Sequence, residues 1–121
     1  MDFSDITRIA AAGESENMEF KATTGERRSA ARTLSAMLNG QGGSVMFGVC
    51  RDGRVSGQDV ADRNLEKVTA VCRETIYPEF PPSIQRIEVP GTGGRQVLVA
   101  SVPPGIRNRI CTTETITSGR A

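Results

Sequence analysis

The sequence predicts an α+β protein, a two-layer sandwich of a mixed, mostly antiparallel sheet with two main helices and a short N-terminal helix. Three observations support this fold class. Apolar residues recur at helical spacing in three segments, and pairs of short apolar runs flank Gly-containing turns. The length of 121 residues suits one domain with a sizeable core. The predicted order is therefore helix, strand, helix, hairpin, helix, hairpin.

The N-terminal segment is predicted to form a short helix followed by a strand. The first helix covers residues 4–12, because Ser4 can cap its start and Gly13 follows its end. Residues 18–21 alternate between apolar and charged side chains, which indicates a short strand.

The second helix has the clearest pattern of the chain. Thr23 and Glu26 have the spacing of a capping box, and the helix runs to Asn39-Gly40. Its apolar residues repeat at helical intervals: Ala30, Leu34, Met37 and Leu38.

The second half of the chain reads as two hairpins around a third helix. Residues 44–57 form the first hairpin, because a continuous apolar run meets the tight-turn signal Asp52-Gly53. A third helix follows over residues 60–76 and ends before Pro78. Residues 83–90 and 95–102 form the second strand pair around a Gly-rich turn.

Composition excludes several classes of protein. The chain contains no histidine, which excludes the Ser-His-Asp triad, the Cys-His pair and His-ligated zinc sites. Cys50, Cys72 and Cys111 are far apart and form no C-x-x-C motif, which argues against a zinc knuckle and a secreted disulfide framework. A signal-peptide pattern and an apolar run of membrane-spanning length are also lacking. We therefore expect a cytoplasmic protein that contacts no membrane.

Arginine dominates the basic residues. Lys21 and Lys67 are the only lysines among 15 basic residues, although the net charge is only +1. Guanidinium groups bind phosphate in bidentate fashion and stack on bases, so this bias fits a nucleic-acid surface. The codon composition of a GC-rich genome explains the bias equally well, and both explanations stay open.

Three segments, taken in order, resemble a known family. They are ESENMEFK over residues 14–21, LNGQGGSVMFGV over residues 38–49 and DGRVSGQD over residues 52–59. Together they are similar to the AlbA_2 domain, the nucleic-acid-binding module of Schlafen proteins and of many bacterial transcriptional regulators. The resemblance implies a DNA-binding or RNA-binding module of a transcriptional regulator or helicase-related protein, whose full-length relatives often carry an ATP-binding segment.

Glu14, Glu19 and Lys21 are the candidate catalytic residues. Glu19 and Lys21 lie two apart on a strand and so face the same way. Two carboxylates and a lysine suit a magnesium-dependent phosphodiesterase, in which Glu14 and Glu19 would hold Mg²⁺. In the Schlafen nucleases that the motif resembles, a third acid follows the GV of the hairpin strand, where this chain has Cys50. We therefore expect cleavage to be weak or absent. The alternative is an ion-pair network that holds the first strand against the Gly-rich loop.

Five arginines are the candidate nucleic-acid-binding residues. Arg27, Arg28 and Arg32 fall on the first turns of the second helix, where positive charge opposes the helix dipole. Arg51 and Arg54 lie in the predicted hairpin turn. We expect contacts with phosphates rather than bases, because no aromatic side chains are interleaved with these arginines. A plain solvated face is the alternative.

Gly42 and Gly43 are the second candidate phosphate contact. Glycines permit close backbone approach and positive φ, so this loop could cradle a phosphate. No G-K-[ST] follows, so the loop is not a Walker motif and we expect no ATP hydrolysis here. A helix C-cap and turn is the alternative.

These observations leave three classes of function open. The leading one is a DNA-directed binding module, the second is a divergent nuclease that uses Mg²⁺, and the third is an oligomerisation domain. No cofactor is implied by the first or the third.

The C-terminal residues 106–121 depart from the family pattern. The family usually continues with a Pro-aromatic segment and a strand resembling Y-Y-x-R-x-G, whereas this chain reads IRNRICTTETITSGRA. Codons that encode these residues can be chosen so that the same nucleotide string also has a second reading. Read in another frame, starting two nucleotides into the Gly105 codon, the string encodes NPKPHMYDGNYYIRSG, which resembles the missing segment. We therefore expect a domain over residues 1–105 and a tail without site residues that follows a change of reading frame. Sequencing the gene tests this.

A domain that lacks its last strand exposes a sheet edge. We therefore expect the chain to form a homo-oligomer through that edge.

Overall fold

The computed structural model describes residues 1–59, 62–76 and 81–105 and confirms the α+β fold class. The predicted third helix and second strand pair are present nearly as expected. A 3₁₀ turn over Thr24–Glu26 precedes the second helix. The elements in chain order are α1 (Phe3–Ala12), β1 (Met18–Lys21), α2 (Arg27–Leu38), β2 (Gly43–Phe47), α3 (Asp62–Thr75), β3 (Ser83–Glu88) and β4 (Gln96–Val102).

The four strands form one mixed, open sheet in the order β1-β2-β4-β3. β1 and β2 are parallel, with Met18 opposite Ser44, whereas β4 pairs antiparallel with both β2 and β3. Since β1 and β2 run in the same direction, α2 must cross back from the carboxyl end of β1 to the amino end of β2. This crossover decides which candidate residues lie near each other.

The sheet separates two apolar clusters. The larger cluster lies between the sheet and the two main helices and contains Ala30, Ala31, Leu34, Met37, Leu38, Val45, Phe47, Val68, Val71, Cys72, Ile76, Leu98, Ala100 and Val102. The smaller one lies under α1 and contains Ile6, Ala10, Phe20, Met46, Val49, Ile87, Val89, Val97 and Val99. Both main helices therefore cover one face, as predicted, and the short α1 covers part of the other.

The predicted first hairpin is wrong in one respect, because residues 54–57 form no strand. The turn itself is tight, with Gly53 N donating to Cys50 O at 2.9 Å. After it, Val55 makes a single bridge with Val49. β2 already has β1 on one side and β4 on the other, so the returning segment finds no free ladder along it.

Two helix starts also differ from prediction. Asp2, not Ser4, caps α1, because its Oδ1 accepts from Asp5 N at 3.0 Å while Asp5 Oδ2 accepts from Asp2 N. Thr23 caps the 3₁₀ turn rather than α2, and the Glu26 carboxylate accepts from the backbone N–H of Ala22 at 3.2 Å. The predicted capping box of Thr23 and Glu26 therefore lies one turn before α2 and caps the 3₁₀ turn.

Several predictions lie outside the described residues. These include the tail over residues 106–121 with Cys111, its proposed change of reading frame, and the first two residues of the third helix, which was predicted over residues 60–76. Of the helices that the structure describes, none is long and apolar enough to cross a membrane.

Candidate nucleic-acid interface

Glu19 and Lys21 lie on the α2 side of β1, as strand alternation predicts. The Lys21 side chain is only 8% exposed, and its Nζ lies 3.5 Å from Glu19 Oε2 and 3.8 Å from Glu26 Oε1. Ser29 Oγ lies 3.0 Å from the same ammonium nitrogen. A buried charge needs such partners, so this cluster stabilises the start of α2 against β1.

Thr33 completes the attachment of α2 to β1. Its hydroxyl donates to Glu19 Oε2 at 2.9 Å, one helical turn beyond Ser29. The ion-pair network therefore joins β1 to α2 and not to the Gly-rich loop. Ser29 and Thr33 were not among the predicted site residues, although their spacing of four residues places both hydroxyls on one face of α2.

Glu14 occupies a different position from Glu19. Its Oε2 accepts from the backbone N–H of Phe20 at 2.9 Å, on the outer edge of β1. Its Oε1 lies 3.9 Å from Arg51 Nε, whose side chain is 81% exposed. Glu14 thus connects the strand edge to the turn after β2, whereas Glu19 faces α2.

Cys50 stands where the resemblance led us to expect a third acid. Its thiol is half-buried, and Arg54 Nη2 donates to Cys50 Sγ at 3.4 Å. That hydrogen bond, together with the nearby carboxylate of Asp52, raises the pKa of Arg54 above its ordinary value. Within residues 1–59, 62–76 and 81–105, no group of three or more acidic or cysteine side chains could hold a metal ion.

The five candidate arginines come from two segments, the first half of α2 and the turn after β2. Arg28 and Arg32 are exposed on α2, and half-buried Arg27 donates to Thr24 O at 3.2 Å. Arg51 and Arg54 are exposed in the turn that follows β2. Because β1 and β2 are parallel, the start of α2 and the turn after β2 both adjoin the carboxyl ends of these strands.

Gly42 and Gly43 lie at the opposite end of the crossover. The 12 residues of α2 separate them from Arg27, and a helix of that length spans about 18 Å. A Cβ atom on Gly43 would lie 2.6 Å from Asn17 O, so this backbone is packed against the chain itself. The predicted nucleic-acid-binding glycines therefore lie far from the start of α2, where Arg27 is located.

A groove runs along β1 near the glycines. Its volume is about 460 Å³, and two carboxylates, those of Glu16 and Glu19, face it. Ser15, Asn17, Thr33, Ala36, Met37, Gln41 and Gly42 complete its lining. The acidic lining disfavours phosphate at this end of the molecule.

Gln58 connects the two arginine-bearing segments. It is buried, and its Oε1 accepts from Thr24 N at 2.9 Å. Its backbone exchanges two hydrogen bonds of 2.9 Å with Gln96. The segment after the turn is thereby held to the 3₁₀ turn that begins α2, a long-range contact that no local pattern signals.

Comparison with known proteins gives one family. No curated protein sequence matches the chain significantly. The family model described as "Schlafen, AlbA_2" matches residues 14–119, which includes Glu14, Glu19, Lys21 and all five candidate arginines. A match over most of the chain establishes membership, and this protein belongs to the Schlafen AlbA_2 family.

Proposed function

We propose that this domain binds the phosphate backbone of nucleic acid, with DNA as the preferred ligand. It would do so as a module of a transcriptional regulator or helicase-related protein. Membership of the Schlafen AlbA_2 family is consistent with a nucleic-acid-related module. The observation that carries the proposal is that the start of α2 and the turn after β2, the two segments with these arginines, both adjoin the carboxyl ends of β1 and β2.

The surface suits phosphate rather than base recognition. Arg28, Arg32 and Arg54 are exposed, and guanidinium groups bind phosphate oxygens in a fork geometry. Phe20 and Phe47 are buried in the core, so neither offers a ring on which a base could stack. We therefore propose binding that tolerates any sequence and weakens with salt.

A titration of the whole chain with labelled duplex DNA, single-stranded DNA and RNA at several salt concentrations tests the proposal. A variant with Arg27, Arg28 and Arg32 changed to Ala should bind each ligand more weakly. Its salt slope should fall by up to about 0.9 for each phosphate contact removed.

A matched control removes the same three charges elsewhere, by changing Arg8, Lys67 and Arg73 to Ala on α1 and α3. This control should change affinity much less. Equal affinity of the helix variant and the unmodified chain, or an equal loss in both variants, would refute the proposed surface.

A metal-dependent nuclease is the second candidate, because Glu19 and Lys21 share one face of β1 and lie 3.5 Å apart. We propose that cleavage is weak or absent, because Cys50 stands at the position of the third acid and two carboxylates hold Mg²⁺ poorly. Cys50→Asp tests whether a third carboxylate restores activity. Strong magnesium-dependent cleavage by the unmodified chain that Glu19→Gln abolishes would overturn this judgement.

A further inference from the structure

The segment that follows the arginine-bearing turn is held from two sides. The backbone N–H groups of Ser56 and Gly57 both donate to Gly48 O, at 3.1 and 2.8 Å. From the other side, the Arg95 guanidinium donates through Nε to Ser56 O at 3.1 Å and through Nη2 to Gly57 O at 2.8 Å. Both backbone groups of each residue are therefore hydrogen-bonded, and Ser56 and Gly57 form a clamped segment between Gly48 and Arg95.

Arg95 is itself held by the turn that joins β3 to β4. Its backbone N–H donates to Thr92 Oγ1 at 3.2 Å, and its carbonyl accepts from Val89 N at 2.8 Å. Thr92 Oγ1 in turn donates to Val89 O at 2.6 Å. The Arg95 side chain is half-buried, and a guanidinium group presents its N–H donors in a rigid planar fork. Arg95 thus attaches the clamped segment to a turn that lies 39 positions beyond Ser56 in the sequence.

The clamped segment adjoins the turn that carries two of the candidate arginines, Arg51 and Arg54. This turn is closed by two hydrogen bonds of 2.9 Å, from Cys50 N to Arg54 O and from Gly53 N to Cys50 O. A third bond runs from Arg54 N to Asp52 Oδ1 at 3.0 Å. Only one residue separates Arg54 from the clamped segment. Fixing that segment therefore also fixes the backbone from which the Arg54 side chain extends.

We propose that Arg95 is a positioning residue for nucleic-acid binding, which holds Arg51 and Arg54 ready for the phosphate backbone and contacts no phosphate itself. This role rests on the proposed function, because Arg95 acts through a turn whose arginines bind phosphate. A loop that is ordered before binding loses less conformational entropy when its ligand binds, so the complex is tighter. The donors of Arg95 are directed at the chain's own carbonyls, and its effect on affinity is therefore indirect.

Hydrogen exchange of the free chain, followed by NMR, tests the clamp itself. Arg95→Met keeps an unbranched stem and removes the guanidinium donors. It should speed exchange of the Gly53 and Gly57 amides at least about fivefold and leave the amide of Val45, in the buried strand β2, unchanged. Arg8→Met is the matched control, because the Arg8 side chain is exposed on α1.

Titration of the full chain with labelled duplex DNA at several salt concentrations tests the effect on binding. Arg95→Met should raise the Kd about tenfold, while the slope of log Kd against log salt stays that of the parent, because no phosphate contact is lost. Arg54→Ala should instead lower this slope by up to about 0.9. In a chain that already carries Arg51→Ala and Arg54→Ala, Arg95→Met should raise the Kd by less than about twofold, because the turn has no contact left to position.

Circular dichroism of each variant confirms that it is folded. If Arg95→Met does not fold, Arg95→Lys, which keeps one charged donor, takes its place in every measurement. A lowered salt slope would show that Arg95 contacts phosphate directly and would overturn its role as a positioning residue.

Three other results also overturn that role: unchanged exchange of Gly53 and Gly57, faster exchange with an unchanged Kd, or an equal rise in Kd with and without the turn arginines. Each of these leaves the proposed function standing. A parent chain that binds no nucleic acid overturns the proposed function and the role of Arg95 together.

Discussion

Replacement of Lys21 by Met tests the buried charge cluster between β1 and α2. Methionine keeps an unbranched apolar stem of similar length but removes the ammonium group. Lys21 Nζ lies 3.5 Å from Glu19 Oε2, 3.8 Å from Glu26 Oε1 and 3.0 Å from Ser29 Oγ. The substitution therefore leaves Glu19 without its cation.

The expected cost follows from how far each partner is exposed. Removing one member of a fully buried pair costs roughly 3–5 kcal/mol. Here the Lys21 side chain is 8% exposed, but those of Glu19 and Glu26 are 28% and 48% exposed, so water compensates part of the loss. We expect the free energy of unfolding to fall by about 2 kcal/mol.

Urea unfolding monitored by circular dichroism measures this change. With a slope of about 1–2 kcal/mol/M, the midpoint should fall by about 1–2 M while the slope stays constant. Lys67→Met is the matched control, because Lys67 is exposed on α3, and its effect should stay within about 0.5 kcal/mol.

The double variant Lys21→Met/Glu19→Gln separates the ion pair from other effects of the substitution. It should be less destabilised than the two single effects predict by addition, because the orphaned carboxylate is gone. If Lys21→Met unfolds at the same urea concentration as Lys67→Met, the cluster does not stabilise the fold and the reasoning is refuted.

Three further results are expected. Gly42→Ala should lower the free energy of unfolding, measured with urea, by about 1–3 kcal/mol more than Gly91→Ala does. Both glycines have φ near +77, but only at Gly42 would a Cβ lie 2.8 Å from neighbouring backbone atoms. Equal losses would contradict the packing argument. Backbone N–H groups and a hydroxyl in the first turn of α1 hold the pKa of Asp2 below its ordinary value of 3.8. The urea midpoint of Asp2→Ala should therefore lie below that of the parent at neutral pH, and the gap should close as the pH falls below 3.8; a constant gap would exclude the charged cap. Burial raises the pKa of the Cys72 thiol, so mass spectrometry after alkylation should show Cys50 modified in the folded chain and Cys72 only after unfolding, and equal rates would contradict this burial.

Local sequence patterns were sufficient for the elements whose signals lie within a few residues. The apolar spacing of α2, the Asp52-Gly53 turn and the alternation along β1 were all read correctly, because each depends on neighbours one helical turn or two strand positions away. The same alternation placed Glu19 and Lys21 on one face, where they do form an ion pair.

Strand pairing and the composition of the site depended on tertiary structure. Residues 54–57 had the signal of a strand that returns along β2. β2 pairs instead with β1 and with β4, which is distant in sequence, so residues 54–57 have no free side of β2 to pair with. The glycine and arginine candidates lie in or next to α2 in the sequence. The crossover of α2 nevertheless places Gly42 and Arg27 at opposite ends of the parallel strands β1 and β2.

Near-neighbour patterns identified the helices, every strand that the structure contains and the residues that carry the family motif, and they erred in adding a strand over residues 54–57. Which of those residues contact each other depended on the order of the strands. Glu14 lies at the outer edge of β1, Gln58 contacts Thr24 across 34 positions of sequence, and β3 comes last in the strand order of the described sheet. The physical reason is that helix and turn signals arise from interactions between near neighbours, whereas sheet order depends on the competition of all strands for a limited number of backbone partners.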